Sequence, residues 1–393
     1  MTRKLPLYFD YAATTPVDSR VAEKMMGCLT AEGVFGNPAS RSHIYGWEAE
    51  ELVEAARQQV ADLIGADSRE IIWTSGATES NNLAIKGLAR ALRDKGRHLI
   101  CARTEHHAVL DCFQQLVREG FDVSFLQPDE YGLVSADALA EALRPDTLLV
   151  SLMHVNNELG SANDIAALAE LCQDRGVFLH TDAAQSTGKL PIDLAAVPVD
   201  LLSISAHKIY GPKGVGALFV RRRPNLKLEP MIHGGGHQRG LRSGTLATHQ
   251  IVGLGEALHI AGQQMEADLQ RISQLAARLQ AGLLAIPATR LNGHPTQNYP
   301  GILNISFGYV DGEALLVGLK DFALSSGSAC TSASQEASHV LRAIGLDEQA
   351  AQSSIRFSLG RTTSEADVDE LVAQTTRVVG RLRQLSPEWS AAH

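Results

Sequence analysis

Short apolar runs alternate with amphipathic, helix-length segments through the middle of the chain. Glu70–Thr74, His98–Ala102, Val123–Leu126, Thr147–Met153, Val177–Thr181, Leu201–Ser205 and Val215–Val220 have the length and apolar content of buried strands. Between them, Asn82–Arg93, Val109–Glu119 and Ile165–Arg175 carry the spacing of helices with one apolar face. This alternation predicts a largely parallel sheet covered on both faces. Tyr45–Leu63 predicts a further long helix, apolar at Leu52, Val53, Ala56, Val60 and Leu63. After residue 250 the pattern changes. A long helix is expected over Gln250–Leu284, then a loop at Asn292–Pro295, a strand at Ile302–Phe307 and a helix at Glu313–Leu319. A second strand near Ile355–Leu359 and a final helix over Ser364–Leu385 complete the reading, with Pro387–His393 as a frayed tail. A domain boundary is placed near residues 255–265.

Composition narrows the class. The chain has 393 residues, 45% of them apolar, which is ordinary for a soluble globular protein. A single core stops growing near about 250–300 residues, so two packed domains are expected. The formal charge is -9, and no basic run exceeds Arg221–Arg223, which disfavours a dedicated nucleic-acid binder. No stretch approaches the roughly 18 apolar residues of a membrane span. The apolar patch after Arg3 and Lys4 is broken by Pro6 and ends at Asp10, too short for a signal peptide. A cytoplasmic protein is expected. The five cysteines, at 28, 101, 112, 172 and 330, form no Cys-x-x-Cys pair, so a disulfide framework or zinc ribbon is not expected.

Chemistry concentrates at predicted strand ends. Lys208 follows the apolar strand Leu201–Ser205 and precedes the turn Tyr210–Gly214. A lysine taken alone is usually a solvated surface group, but one held at a strand end can form a Schiff base with a carbonyl cofactor. Asp182 ends the strand Val177–Thr181, 26 residues earlier. It could cap the following turn, or it could keep a pyridine nitrogen protonated so that the ring accepts electrons. Thr74-Ser75-Gly76-Ala77-Thr78-Glu79-Ser80 follows a strand and opens a helix. The backbone N–H groups of Ala77 and Thr78, the Thr78 hydroxyl and the positive helix end suit a phosphate, although a simple N-cap is the commoner use. No nucleoside-triphosphate loop Gly-x-x-x-x-Gly-Lys-Ser/Thr and no strand-linked Gly-x-Gly-x-x-Gly occurs.

Two further segments carry a decision. His233-Gly234-Gly235-Gly236-His237 invites a metal reading, but three intervening glycines spoil a helical ligand pair, and a structural loop is preferred. Cys330 lies in Ser325-Ser326-Gly327-Ser328-Ala329-Cys330-Thr331-Ser332, a stretch with nothing apolar to anchor it. A mobile, solvent-reaching loop is expected there.

Together these segments resemble the pyridoxal-phosphate enzymes of the aminotransferase fold type and, more narrowly, the cysteine desulfurases of the NifS/IscS group. The resemblance covers residues 7–388. It rests on Asp10–Pro16, Gly36–Ser40, Ser75–Asn82, Thr104–His107, Met153–Glu158, the Lys208 segment, His233–Thr245, Ser325–Ser332 and Ser354–Ser358. It implies an α/β, aminotransferase-like fold, with a large mainly parallel sheet domain over residues 16–260. Residues 1–15 and 261–393 would form a smaller α+β domain carrying the Cys330 loop.

The resemblance also implies roles. Lys208 would bind pyridoxal 5'-phosphate and shuttle the substrate Cα proton, and Asp182 would pair with the pyridine nitrogen. His106 would stack on the ring and assist acid–base steps. Asn157 and Gln185 would hydrogen-bond the phenolic oxygen. Ala77, Thr78, Ser205 and His207 would hold the phosphate, joined by Thr245 from the other subunit of a homodimer. Arg356, with Asn37, would take the substrate carboxylate. Cys330 would receive the sulfur of L-cysteine as a persulfide, leaving L-alanine, and pass it to an iron–sulfur scaffold or sulfur-relay protein. No metal, membrane or direct nucleic-acid partner is implied.

Two departures stand out. Residue 206 is Ala where the family often has Gly, and the C-terminal tail is shorter than in housekeeping iron–sulfur members. The acceptor therefore stays open among general iron–sulfur assembly, nitrogenase maturation and tRNA thiolation. Another pyridoxal-phosphate enzyme, such as a selenocysteine lyase or an aminotransferase, is the alternative.

Overall fold

The computed structural model describes residues 5–326 and 337–392. A short strand β1 (Leu7–Tyr8) leads into helices α1 (Ser19–Met26) and α2 (Ile44–Ile64). The central sheet follows, with β2 (Ile71–Thr74), β3 (His98–Ala102), β4 (Asp122–Leu126), β5 (Thr147–Ser151), β6 (Phe178–Asp182), β7 (Leu201–Ser205) and β8 (Gly216–Val220). Helices α3 (Ala77–Ala91), α4 (His107–Arg118), α5 (Ala136–Ala142) and α6 (Ile165–Asp174) connect them. All seven predicted strands are present, with ends shifted by at most two residues. The strand order is β2-β8-β7-β6-β5-β3-β4. Only β8 runs against its neighbours, antiparallel to both β2 and β7.

Strands β2, β3, β5, β6, β7 and β8 read as near-continuous apolar runs because helices cover both faces. Ile100, Val150, Leu179, Leu202 and Phe219 pack toward α2 and α6, while Leu99, Leu149, Phe178, Leu201 and Leu218 pack toward α3 and α4. Alternate residues of each strand thus serve opposite cores.

Helix α7 (Thr248–Leu284) is 37 residues long. Its Ile251, Leu254 and Leu258 belong to the central core, whereas Ile272, Leu275, Leu279 and Leu283 belong to a second one. The helix therefore changes cores between Leu258 and Ile272. The second core lies under a small antiparallel sheet of β9 (Thr289–Asn292), β10 (Ile302–Phe307), β12 (Ser325–Ser326) and β13 (Ser354–Ser358), in the order β12-β13-β10-β9. Strand β11 (Phe322–Ala323) pairs in parallel with β1. Helices α8 (Gly312–Gly318), α9 (His339–Ala343), α10 (Glu348–Gln352) and α11 (Glu365–Gln384) complete this part.

Two local expectations are corrected. Asn292, assigned to a loop, ends β9, because its backbone pairs with Asn304. The tail is not frayed over its described length: Pro387–Ala392 forms a short helix α12. The Trp389 ring lies 4.7 Å from the Arg383 guanidinium and 5.5 Å from Tyr309, a docking that no tail composition announces.

Candidate active site

In an open parallel sheet the crevice lies beyond the carboxyl ends of the strands, where the order reverses. Here the reversal falls between β3 and β5, since β4 lies outside β3 while β5, β6 and β7 continue on its other side. A cleft of about 550 Å³ opens there. Among its lining are Ala77, Thr78, His106, Asn157, Asp182, Gln185, Ser205, His207, Lys208 and Arg356. One residue group thus comes from each of the ends of β2, β3, β5, β6 and β7, and Arg356 comes from β13 of the small sheet.

Lys208 sits in a single tight turn, Ala206–Lys208, directly after β7. Its Nζ donates to the carbonyls of Ala12 and Ala13 at 2.6 and 2.8 Å. The N-terminal segment therefore forms one wall of the cleft. Asp182 is buried at the end of β6 and its carboxylate is fixed from two sides. Asn81 Nδ2 donates to Oδ2 at 2.7 Å, and the Ala184 N–H donates to Oδ1 at 2.9 Å. Two donors, one on each oxygen, fix the orientation of the carboxylate.

The end of the cleft near β2 is built for an anion. Helix α3 starts on Gly76, whose φ of +149° few side chains adopt, and no side chain caps it. Helices α1, α2, α4, α5 and α6 each have a side-chain cap. Gly216 permits the close approach: a Cβ there would lie 2.6 Å from the Gly76 Cα and 2.4 Å from the Ile204 carbonyl. The uncapped N–H groups and the helix dipole favour negative charge. Ser205 and His207 stand beside them. Burial depresses the His207 pKa to about 4, so the ring is neutral at pH 7, and its Nδ1 meets the Thr14 hydroxyl at 3.1 Å.

His106 caps α4, with Nδ1 accepting the Ala108 N–H at 3.1 Å. The proton of the neutral ring therefore belongs on Nε2. Burial lowers its pKa, against the opposing pull of Asp182. The Asn157 Oδ1 is buried without a hydrogen-bond partner among the described residues. In a polar cleft an orphaned acceptor of this kind signals a missing donor. Arg356 donates to the Asn157 carbonyl at 2.9 Å and to Asp10 Oδ1 at 2.8 Å. Of the five N–H bonds of a guanidinium, the remaining three are free of these two contacts.

Two expected residues, Thr245 and Asn37, are not brought to the cleft within one chain. Thr245 is exposed and does not line it. Asn37 is also exposed, and its Oδ1 accepts the Ala39 N–H at 2.9 Å. Cys330 lies outside the described residues. His237 serves its loop, its Nδ1 accepting the Gly244 N–H at 3.2 Å. Among the described residues no cluster of three His, Cys, Asp or Glu side chains is placed to hold a metal ion.

Sequence reasoning missed several contributors. Glu105 is fully buried, accepts the Met153 N–H at 2.8 Å, and is pushed well above the usual carboxylate range by burial. Lys189 donates to Gln185 Oε1 at 3.0 Å. Both could have been flagged as charged residues next to motif positions, but their contacts exist only in three dimensions.

The arrangement offers a lysine amine, an oriented carboxylate across from it, and an anion-binding helix end, all around one cleft. Residues 7–371 match the family described as Aminotransferase class-V. Over 386 residues the chain is 60% identical to the cysteine desulfurase IscS of Shewanella loihica, covering 98% of this chain and 96% of that protein. A solved NifS-like protein superposes with a TM-score of 0.88 at 34% identity, over 96% of this chain and 100% of the other. The structure described as SspA in complex with cysteine gives a TM-score of 0.81 at 40% identity, over 90% of this chain and 99% of that one. The chain therefore belongs to the class-V aminotransferase family and, within it, to the cysteine desulfurases of the NifS/IscS group.

Proposed function

We propose that this chain is a cysteine desulfurase that uses pyridoxal 5'-phosphate to move the sulfur of L-cysteine onto Cys330, releasing L-alanine. The observation that carries the reading is the convergence of Lys208, Asp182 and the uncapped start of α3 on one cleft. The donor set fits the cofactor. The α3 end with Thr78, Ser205 and His207 suits its phosphate, Asp182 suits its pyridine nitrogen, and Asn157 and Gln185 suit its phenolic oxygen.

When bound, the protonated pyridine ring withdraws electrons from the bonds around the substrate Cα and so weakens the C–S bond one carbon away. Lys208 would hold the cofactor through its amine, and the same amine would carry the proton taken from the substrate Cα. Asp182, fixed by Asn81 and Ala184, holds the ring proton. His106, neutral with its proton on Nε2, can give or take a proton at the ring face. Arg356 orients the substrate carboxylate through the N–H bonds it has left. The Cys330 thiolate attacks the substrate sulfur; the C–S bond breaks, and a persulfide remains on Cys330. Cysteine and the thiol become alanine and the persulfide, with no outside oxidant.

The exposed Thr245 supports a shared site in which it reaches the phosphate of a second copy, making a homodimer part of the machinery. Residues 16–260 would act as the large unit, with 1–15 and 261–393 as the small one. Among the described residues no helix is long and apolar enough to cross a membrane. The reading is of a cytoplasmic enzyme that hands sulfur to an iron–sulfur scaffold or a sulfur-relay protein. Single turnover with L-cysteine, followed by mass spectrometry, tests the proposal. Persulfide on the Cys330 peptide with matching alanine is expected. Persulfide on Cys28, Cys101, Cys112 or Cys172 instead, or undiminished alanine from Cys330→Ala, would overturn the role of Cys330.

A further inference from the structure

Sharing Ala12 and Lys208 with the main cleft, a second cavity of about 30 Å³ leaves room for about one water. Lys189 borders it, in the turn that follows β6. Its amine donates to Gln185 Oε1 at 3.0 Å and lies 5.3 Å from the centre of the Tyr299 ring. The other end of the same carboxamide, Gln185 Nε2, donates to the Ala12 carbonyl at 2.8 Å. That carbonyl also accepts from Lys208 Nζ at 2.6 Å. A chain of contacts therefore runs from Lys189 through Gln185 and Ala12 to Lys208.

The two partners of Gln185 decide which way its amide points. An amine of this kind donates and a carbonyl only accepts. Turning the amide over would set donor against donor and acceptor against acceptor, inside a buried site where each unmet group costs about 1–3 kcal/mol. With Oε1 taken by Lys189, Gln185 keeps its second Nε2–H for an acceptor in the cleft that it lines.

We propose that Lys189 is a positioning residue: its amine locks the Gln185 carboxamide with the N–H end at the cleft, and so sets the protonation of the linkage between Lys208 and its cofactor. The proposal rests on the cofactor reading above. A hydrogen bond given to the phenolic oxygen weakens that oxygen's hold on a proton shared with the linkage nitrogen. The linkage then loses its proton at lower pH.

The surroundings of Lys189 are consistent with this role. Burial, with Lys208 and Arg356 nearby, lowers its own pKa to about 7, and an amine remains a donor in either state. The same small cavity holds Asp268 and Arg361, paired with each other at 2.6 Å, and the tyrosines Tyr11, Tyr210 and Tyr299. Among the described residues no carboxylate pairs with Lys189.

The test is a pH titration of the visible absorbance of the holoenzyme, without substrate. Lys189→Met should raise the midpoint by about one pH unit, and Lys189→Arg, which keeps a donor, should return most of it. Gln185→Leu should raise it in the same direction. Adding Lys189→Met to Gln185→Leu should then bring little more. An unmoved midpoint in Lys189→Met, or in Gln185→Leu if the lysine variant does not fold, would overturn the proposal. So would a full additional shift in the double variant, since Lys189 would then act by charge alone. A wild-type protein with no visible band that borohydride fixes to Lys208 would overturn the cofactor reading first, and this one with it.

Discussion

Two buried polar clusters in this molecule have opposite fates. One lies at the carboxyl ends of the central strands and the other on the small sheet. In the small sheet, Asn292 Nδ2 donates to Asn304 Oδ1 at 2.8 Å and to the hydroxyls of Ser306 and Ser354 at 2.6 and 3.3 Å. Ser306 and Ser354 meet at 2.7 Å. The four side chains bond to one another across β9, β10 and β13. At the central sheet, Asp182, Asn157 and the start of α3 instead open onto a cleft of about 550 Å³. Both clusters leave orphaned atoms, Asn157 Oδ1 in one and Asn292 Oδ1 with Asn304 Nδ2 in the other. Asn157 lines the cleft. A buried orphan thus points to function when it borders a cavity, and to a small stability cost when it does not.

The largest expected effect falls on the open cluster. Lys208→Ala should abolish turnover and the lysine-bound absorbance, while the midpoint of chemical unfolding stays near that of the wild-type apoprotein. Asp182→Asn should cost about 10²–10⁴-fold in turnover, read as alanine formed per minute. The closed cluster should respond the other way. Asn292→Ala leaves Asn304 Oδ1 and Ser306 Oγ without this donor and should cost about 1–3 kcal/mol of stability by urea unfolding, with the cofactor spectrum unchanged. Loss of the cofactor band in that variant would erase the distinction between the clusters.

A subtler expectation concerns the buried middle of the central sheet. His180 bridges the strands, meeting Ser151 Oγ at 2.8 Å and Ser203 Oγ at 3.0 Å. Burial depresses its pKa to about 4 from an ordinary 6.5. The unfolded chain therefore takes up this proton first. The stability held by neutral His180 is present above pH 6.5 and drains away as pH falls toward 4. The stability gap between wild type and His180→Asn should narrow by about 1.4 kcal/mol per pH unit within that window. Unfolding both proteins at pH 7.5 and 5.5 checks it; a constant gap would contradict the assignment.

What could be read from the sequence follows from this contrast. The central strands announce themselves because both faces are covered and their runs are apolar throughout. Lys208 and Asp182 are legible because each ends such a run. Asn157, Gln185 and Arg356 have no local signature and entered only through resemblance. Gly216, Lys189 and the Ala12 carbonyl are silent in one dimension, since their importance lies in what approaches them from distant segments. The same holds for α12, which forms where Trp389 finds Arg383 and Tyr309. The polar cluster of the small sheet was invisible because Asn and Ser in a strand read as surface residues until the third strand is in place.

The most direct measurement of the central claim is borohydride reduction of the wild-type holoenzyme, followed by digestion and peptide mass spectrometry. The account predicts one modified peptide, containing Lys208 and bearing the reduced cofactor. Modification at Lys189, Lys213 or any other lysine with Lys208 untouched, or no modification at all, would contradict it.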